Sequence, residues 1–125
     1  MIEKIETVKA PAVIGTYSQA IRTQHFIFLS GQIPLDPTTM TLVSDQIKDQ
    51  THQVFKNLQA VCIAANASLL HAVKLTIYLT DLTHFSIVNE VMASYFQEPY
   101  PARATIQVSA LPKGAQIEID AIVMT

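Results

Sequence analysis

The chain has 125 residues, enough for one domain, and half of its residues are hydrophobic while only 14% are charged. A net charge of −2 without any basic cluster offers no obvious electrostatic surface for nucleic-acid binding. With one cysteine, no secretory leader and no long apolar run, the sequence predicts a cytoplasmic protein without disulfides or a membrane span.

The first half of the chain predicts one strand and one long helix. Residues 25–30 (HFIFLS) are short, aromatic and β-branched, as in a strand. From Asp45 the apolar positions fall three or four apart, which predicts a helix with one apolar face. Ser44 or Asp45 is its predicted N-cap, and Asn66 its predicted end, because asparagine tolerates the left-handed conformation. The apolar face consists of Ile47, Thr51, Val54, Leu58, Val61 and Ala65.

The second half predicts a strand, a second helix and two further strands. Alternation over 73–79 predicts a strand whose buried face includes Val73. The second helix begins near Thr80 or Asp81, and Pro99 and Pro101 are predicted to end it. Its apolar face consists of Phe85, Val88, Met92 and Phe96. The last two alternating segments span 104–109 and 117–123.

These elements predict a single domain over residues 1–125 with an α+β fold. Because each helix is apolar on one side only, both are expected to cover one face of a mixed sheet, giving a two-layer sandwich. The other sheet face also needs cover. The scarcity of charge favours cover by further copies of the chain, although a monomer with a neutral surface is the plainer alternative.

Two charged residues are candidates for chemistry. Arg103 is one of only two arginines and begins a predicted strand, and its planar guanidinium suits a carboxylate. A lone arginine there is more often a surface residue. Glu118 lies within the last strand, where a glutamate is often solvated. If other subunits cover that side, it becomes a partly buried carboxylate that can position or deprotonate water.

The remaining polar candidates are weaker. Tyr17 lies in a run of hydrogen-bonding residues that suits either a polar pocket or any surface loop. Ser30 and Gly31 end a strand, where exposed N–H groups bind an anion or form an ordinary turn. Asn89, on the second helix, is a ligand contact or a solvated side chain. The histidines lack the spacing of metal ligands, so no metal site is predicted.

The motifs together resemble the Rid family of reactive intermediate deaminases, also called YjgF-like or L-PSP proteins. The likeness runs nearly the full length of the chain. Its motifs are 10–11 (AP), 17–20 (YSQA), 30–37 (SGQIPLDP), 50–51 (QT), 57–58 (NL), 73–74 (VK), 81–82 (DL), 88–90 (VNE), 101–103 (PAR), 111–114 (LPKG) and 117–119 (IEI). The sequence departs from the family pattern at Met40 and Asn66, where glycine is common, and at Thr16, where proline is common.

The resemblance implies a chorismate-mutase-like fold, assembled as a homotrimer, with clefts between subunits that bind small carboxylates. It implies that Arg103 binds the carboxylate and that Glu118 holds a water. The implied pocket positions are Tyr17, Ser30, Gly31 and Asn89, with a backbone contact from Thr105.

The function that the resemblance implies is hydrolysis of 2-imino acids, formed from their enamine tautomers, to 2-oxo acids and ammonia. Such a 2-iminobutanoate/2-iminopropanoate deaminase needs no cofactor, since a protonated imine is already a good electrophile. The alternatives are a regulatory module that binds small carboxylates without catalysis and, disfavoured by the acidic charge balance, an RNA-binding or ribonuclease protein.

Overall fold

All 125 residues are described by the computed structural model of the chain. Its six strands and two helices are β1 (Glu3–Ile5), β2 (Ala20–Arg22), β3 (Phe26–Gln32), α1 (Ile47–Ala64), β4 (Ala72–Leu79), α2 (Phe85–Ala93), β5 (Ala102–Gln107) and β6 (Ile117–Met124). The strands form one mixed sheet in the order β1-β2-β3-β6-β4-β5. Only β4 and β5 pair in parallel, and α2 is the crossover that parallel neighbours require.

Both helices pack on the same face of the sheet, which confirms the predicted two-layer α+β sandwich. Alternate residues of β4 and β6 are buried under the helices, among them Leu75, Ile77 and Ile119 at 0% exposure. Phe55 of α1 stacks on Tyr95 with a centroid distance of 5.0 Å. No helix is both long and apolar enough to span a bilayer.

The end of α1 confirms the prediction made from Asn66, whereas its start does not match. Asn66 has φ 55°, and Ala67 N donates to Cys62 O at 2.9 Å, as in a left-handed helix termination. At the other end, neither Ser44 nor Asp45 is the N-cap. Gln46 takes that position without a side-chain cap, because Ser44 Oγ accepts from Gln46 N at 2.9 Å and so closes a turn just before the helix.

Three further expectations about the second half were wrong. Val73 is 37% exposed, because an irregularity in the pairing with β6 between Ala72 and Lys74 turns its side chain away from the core.

The helix α2 ends at Ala93, well before the prolines, so Phe96 reaches the core from the following loop and packs edge-on against Phe55. Strand β5 ends at Gln107, so Ser109 lies beyond it.

Three buried amide side chains from the sequence motifs hold loops around the sheet. Gln19 donates to Thr7 O at 3.0 Å and to Pro11 O at 2.8 Å, and it accepts from Thr7 N. Gln50 bridges Ser44 O and Gln116 N. Asn57 donates to Ile33 O and Leu35 O. Because an unpaired buried backbone group is costly, these amides are structural supports.

Neither helix covers the second face of the sheet. Several large apolar side chains remain exposed there, including Phe28 at 46% and Ile106 at 45%. On β5 the apolar Ile106 therefore faces away from the helices, while Arg103 and Gln107 face them. We call this uncovered side the open face, and the side under α1 and α2 the helix face.

Candidate active site

Arg103 lies on the helix face of the edge strand β5. It is in register with core-facing Leu75 on the parallel neighbour β4, so its side chain points towards α2. There Nη1 donates to Asn89 Oδ1 at 2.7 Å and lies 3.5 Å from Met92 Sδ. The guanidinium carbon is 5.1 Å from the centre of the Phe85 ring, within the range of a cation–π contact. One end of the guanidinium is thus fixed by α2.

The rest of the guanidinium is available to a ligand. It belongs to a cavity of about 380 Å³ lined by Asn89, Met92, Ala93, Tyr100, Pro101 and Arg103, which we call the arginine cavity. Neither of the two ion pairs in the chain includes Arg103. The other arginine, Arg22, pairs with Glu3 at 3.4 Å and donates to Ala65 O, so it is tied into the structure. Of the two arginines, Arg103 is the one without an anion.

Thr105 lies two residues further along β5, at the free edge of the sheet. Val108 N donates to Leu79 O on β4, and N–H groups alternate in direction along a strand, so the N–H of Thr105 points away from β4. Its side-chain Oγ1 is buried without a hydrogen-bond partner. The edge next to Arg103 therefore offers a free backbone donor.

Glu118 lies on the open face, in register with Tyr78 of β4. It contributes to a second cavity of about 360 Å³, which we call the glutamate cavity. This cavity is lined by Pro11, Ala12, Ile14, Tyr17, Gln19, Gly31, Gln32, Ile33, Leu35, Met40, Pro112, Lys113 and Glu118.

Gly31 is required beside Glu118 for space. A Cβ at this position would lie 2.4 Å from Glu118 Oε2 and 2.9 Å from its Cδ, distances that real Cβ atoms do not tolerate. The glycine lies within the stretch where the pairing of β3 with β6 shifts register, between Leu29 and Gln32. The irregular strand end and the missing side chain together leave room for the carboxylate.

The pKa of Glu118 is raised, first by burial and then by the negative charge of Asp120. Asp120 lies two residues along β6 on the same face, where Tyr78 donates to its Oδ2 at 3.1 Å. Tyr78 in turn has a raised pKa, chiefly because of burial, so it remains a donor. Glu118 is therefore a carboxyl that takes up a proton more readily than usual, as a general base that must later act as an acid requires.

The loop before β2 brings Tyr17 to the glutamate cavity. Tyr17 Oη accepts from Ile14 N at 3.4 Å, and its side chain remains half exposed. Ser30 does not line this cavity. Its Oγ donates to Ser18 O at 2.5 Å, which holds the loop against the strand end. Three residues were not predicted to belong to a site. Met40 and Lys113 line the glutamate cavity, and Asp120 contributes to the raised pKa of Glu118.

The structure thus gathers the predicted residues into two groups rather than one. Arg103 and Asn89 share the arginine cavity, and Tyr17, Gly31 and Glu118 share the glutamate cavity. Their strands place Arg103 on the helix face and Glu118 on the open face, so one chain does not bring the two together. No three His, Cys, Asp or Glu side chains lie close enough to hold a metal ion.

Comparisons with known proteins identify relatives over the whole chain. The family model described as Endoribonuclease L-PSP matches residues 7–125. A RutC family protein of Pyrococcus horikoshii is 51% identical over 98% of this chain and 97% of its own length. The human 2-iminobutanoate/2-iminopropanoate deaminase is 44% identical over 94% of this chain and 86% of its own length.

The fold comparison agrees with the sequence comparison. The crystal structure of RidA from the Antarctic bacterium Psychrobacter sp. superimposes with a TM-score of 0.95 at 48% identity, covering 98% of this chain and 99% of that one. The family resemblance of the sequence motifs is thereby confirmed.

Proposed function

The chain belongs to the Endoribonuclease L-PSP family, also called the Rid family, and we propose that it hydrolyses 2-imino acids to 2-oxo acids and ammonia. One observation carries the proposal: a guanidinium without a counter-ion and a carboxyl with a raised pKa each line a cavity of small-molecule size. The names of relatives 44% and 49% identical to the chain, as deaminases of imines and of reactive intermediates, support this chemistry.

The proposal requires a site shared between copies of the chain. Arg103 and Glu118 face opposite sides of the sheet, so the complete site forms only when one copy places its β5 edge beside the glutamate cavity of another. The exposed apolar side chains of the open face, such as Phe28, favour such an assembly. We propose a homotrimer, in which every copy uses both of its half-sites.

Substrate positioning begins with the carboxylate. Arg103 would bind it with two parallel N–H bonds, and the outward N–H of Thr105 would add a third donor. Asn89 holds the guanidinium from behind at 2.7 Å, which restricts its rotation. The imine carbon, one bond from the carboxylate, would then lie above Glu118 of the neighbouring copy.

Glu118 would move the protons of the hydrolysis. It takes one proton from a water as the water oxygen bonds to C2 of the protonated imine, giving a carbinolamine. It then passes that proton to the amine nitrogen. As the C2–N bond breaks and ammonia leaves, the hydroxyl oxygen forms the C=O bond and releases its proton to Glu118. An enamine first becomes an imine by taking a proton at C3.

Replacement of the free arginine is the decisive experiment. Arg103→Ala should reduce the accelerated loss of 2-aminoacrylate in a coupled dehydratase assay by roughly a hundredfold or more, since the reacting carbon is no longer positioned. Arg22→Ala is the matched control, because Arg22 faces structural partners. An Arg103→Ala protein that assembles normally and keeps its full rate would end the proposal.

Replacement of the carboxyl separates binding from chemistry. Glu118→Gln should still bind 2-oxobutanoate, which lacks the reacting nitrogen, but should turn over imines slowly. If the wild-type chain binds 2-oxobutanoate and accelerates no imine hydrolysis, it is a metabolite-binding module. A salt-dependent micromolar affinity for RNA would instead favour the ribonuclease activity that the family description names.

A further inference from the structure

The loop between β3 and α1 holds a methionine in a conformation that side chains rarely adopt. Met40 has φ 58°, in the left-handed region that favours glycine or asparagine. The loop around it is closed by hydrogen bonds. Met40 N donates to Asp36 O at 2.8 Å, and Asp36 N donates to Thr41 O at 2.9 Å.

The base of this loop is also fixed. Asp36 Oδ1 accepts from Thr38 N at 2.8 Å and Thr39 N at 3.1 Å, so the turn before Met40 cannot relax independently. On the approach to the loop, Asn57 of α1 is 1% exposed and donates to Ile33 O and Leu35 O. A backbone held in this way keeps Met40 at one place in the loop despite the unfavourable φ.

That place is the wall of the glutamate cavity. Met40 lines it together with Ile14, Ile33 and Leu35, so one part of the cavity is apolar. The polar part is formed by Tyr17, Gln19, Lys113 and Glu118. A chain that replaced Met40 with glycine would avoid the backbone strain, but the cavity would lose an apolar side chain.

We infer that Met40 binds the side chain of the substrate and thereby selects 2-imino acids with extended apolar side chains. This inference rests on the proposed function. C2 of a 2-imino acid carries three groups: the carboxylate, assigned to Arg103, the nitrogen, attacked beside Glu118, and the side chain. The apolar part of the same cavity is left for the third. A flexible thioether adapts to apolar chains of different shapes.

Binding of 2-oxo acids tests the inference without requiring turnover. The probes are 4-methyl-2-oxopentanoate, with a branched apolar side chain, and pyruvate, with a methyl group only. In the wild type the first should bind more tightly. Met40→Gly and Met40→Asn, which both suit a left-handed residue, should lower the ratio of the two affinities about four- to fifteenfold, as loss of one or two methylene-sized contacts implies.

Two control variants isolate the side-chain contact. Met40→Leu keeps an apolar side chain of similar volume, so the affinity ratio should stay within about twofold of the wild type. Asn66→Gly relieves the backbone strain of a left-handed residue at the end of α1, away from both cavities. It should leave the affinity ratio unchanged.

The outcomes separate the inference from the proposed function. An unchanged ratio in Met40→Gly and Met40→Asn, an equal fall in Asn66→Gly, or no preference in the wild type would overturn the inference. Deaminase assays with wild-type protein judge the proposed function separately. A changed affinity ratio in a chain without deaminase activity would support the side-chain site and contradict the proposed enzymatic function.

Discussion

The two faces of the sheet are built from the same strands but serve different purposes. On the helix face, Leu75, Ile77 and Ile119 are fully buried, and α1 and α2 supply most of the cover, with Phe96 added from the loop after α2. On the open face, the neighbouring positions carry Tyr78, Glu118 and the largely exposed Phe28. The helix face therefore accounts for the stability of one chain, whereas the open face is the side that we propose a second copy covers.

Core truncation gives the largest expected contrast between the faces. Ile77→Ala should lower the free energy of unfolding by about 2–5 kcal/mol, because it leaves a cavity in a packed layer. Phe28→Ala removes a larger side chain that is 46% exposed within the chain. Its effect should appear in the assembly, as weaker association and a melting temperature that depends more steeply on protein concentration.

Thermal unfolding at several protein concentrations, with sedimentation to measure the oligomer, distinguishes the two variants. Equal destabilisation by Phe28→Ala at every concentration, with an unchanged oligomer, would show that the open face stabilises the single chain and not the assembly.

An added methyl group at Gly31 tests the tight fit on the open face. Gly31→Ala places a Cβ 2.4 Å from Glu118 Oε2, so the carboxyl must rotate away from its present position. The expected result is a loss of imine hydrolysis of about ten- to a hundredfold, with a stability cost of about 1–3 kcal/mol. Gly114→Ala is a control for stability only, because its Cβ meets no atom within 4 Å although its φ of 73° disfavours alanine. Full deaminase activity in Gly31→Ala would contradict the assigned position of the carboxyl.

The smallest effect is a dependence of stability on pH. The pKa of Glu118 is raised above the ordinary 4.5, so the folded chain binds the proton more tightly than the unfolded chain does. The protonated carboxyl contributes its full stabilisation below pH 4.5, the ordinary pKa of the group. This stabilisation is lost as the pH rises through the higher pKa of the folded state. Glu118→Gln should therefore be more stable than the wild type at neutral pH, by less than about 1 kcal/mol since water still screens the group.

Denaturant unfolding at pH 4 and pH 7 measures this difference. The gain from Glu118→Gln should shrink towards pH 4, where the wild-type carboxyl is largely protonated in both states. Asp120→Asn should give a smaller gain in the same direction, because it removes one of the two causes of the raised pKa. A gain that grows as the pH falls would contradict the raised pKa.

Local sequence signals predicted the elements better than their ends. Asn66 predicted the end of α1, since a left-handed residue closes the helix by its own backbone hydrogen bonds. The prolines failed to predict the end of α2, because a proline only limits how far a helix can extend. The helix already ends at Ala93, and Phe96 reaches Phe55 from the loop that follows. The polar motif residues Gln19 and Asn57 gave no sign of whether they bind ligands or support loops, since both roles use the same donors and acceptors.

The pattern of apolar residues was enough to predict the two-layer architecture, because side chains alternate between the faces of a strand and recur every three to four residues along a helix. The sequence also pointed to Arg103 and Glu118 as the charges that need an explanation. Their positions on opposite sides of the sheet became evident only from the pairing of the strands. That outcome depends on the register between strands, which long-range pairing sets, and no pattern within β5 or β6 specifies which residues of the other strand share its face.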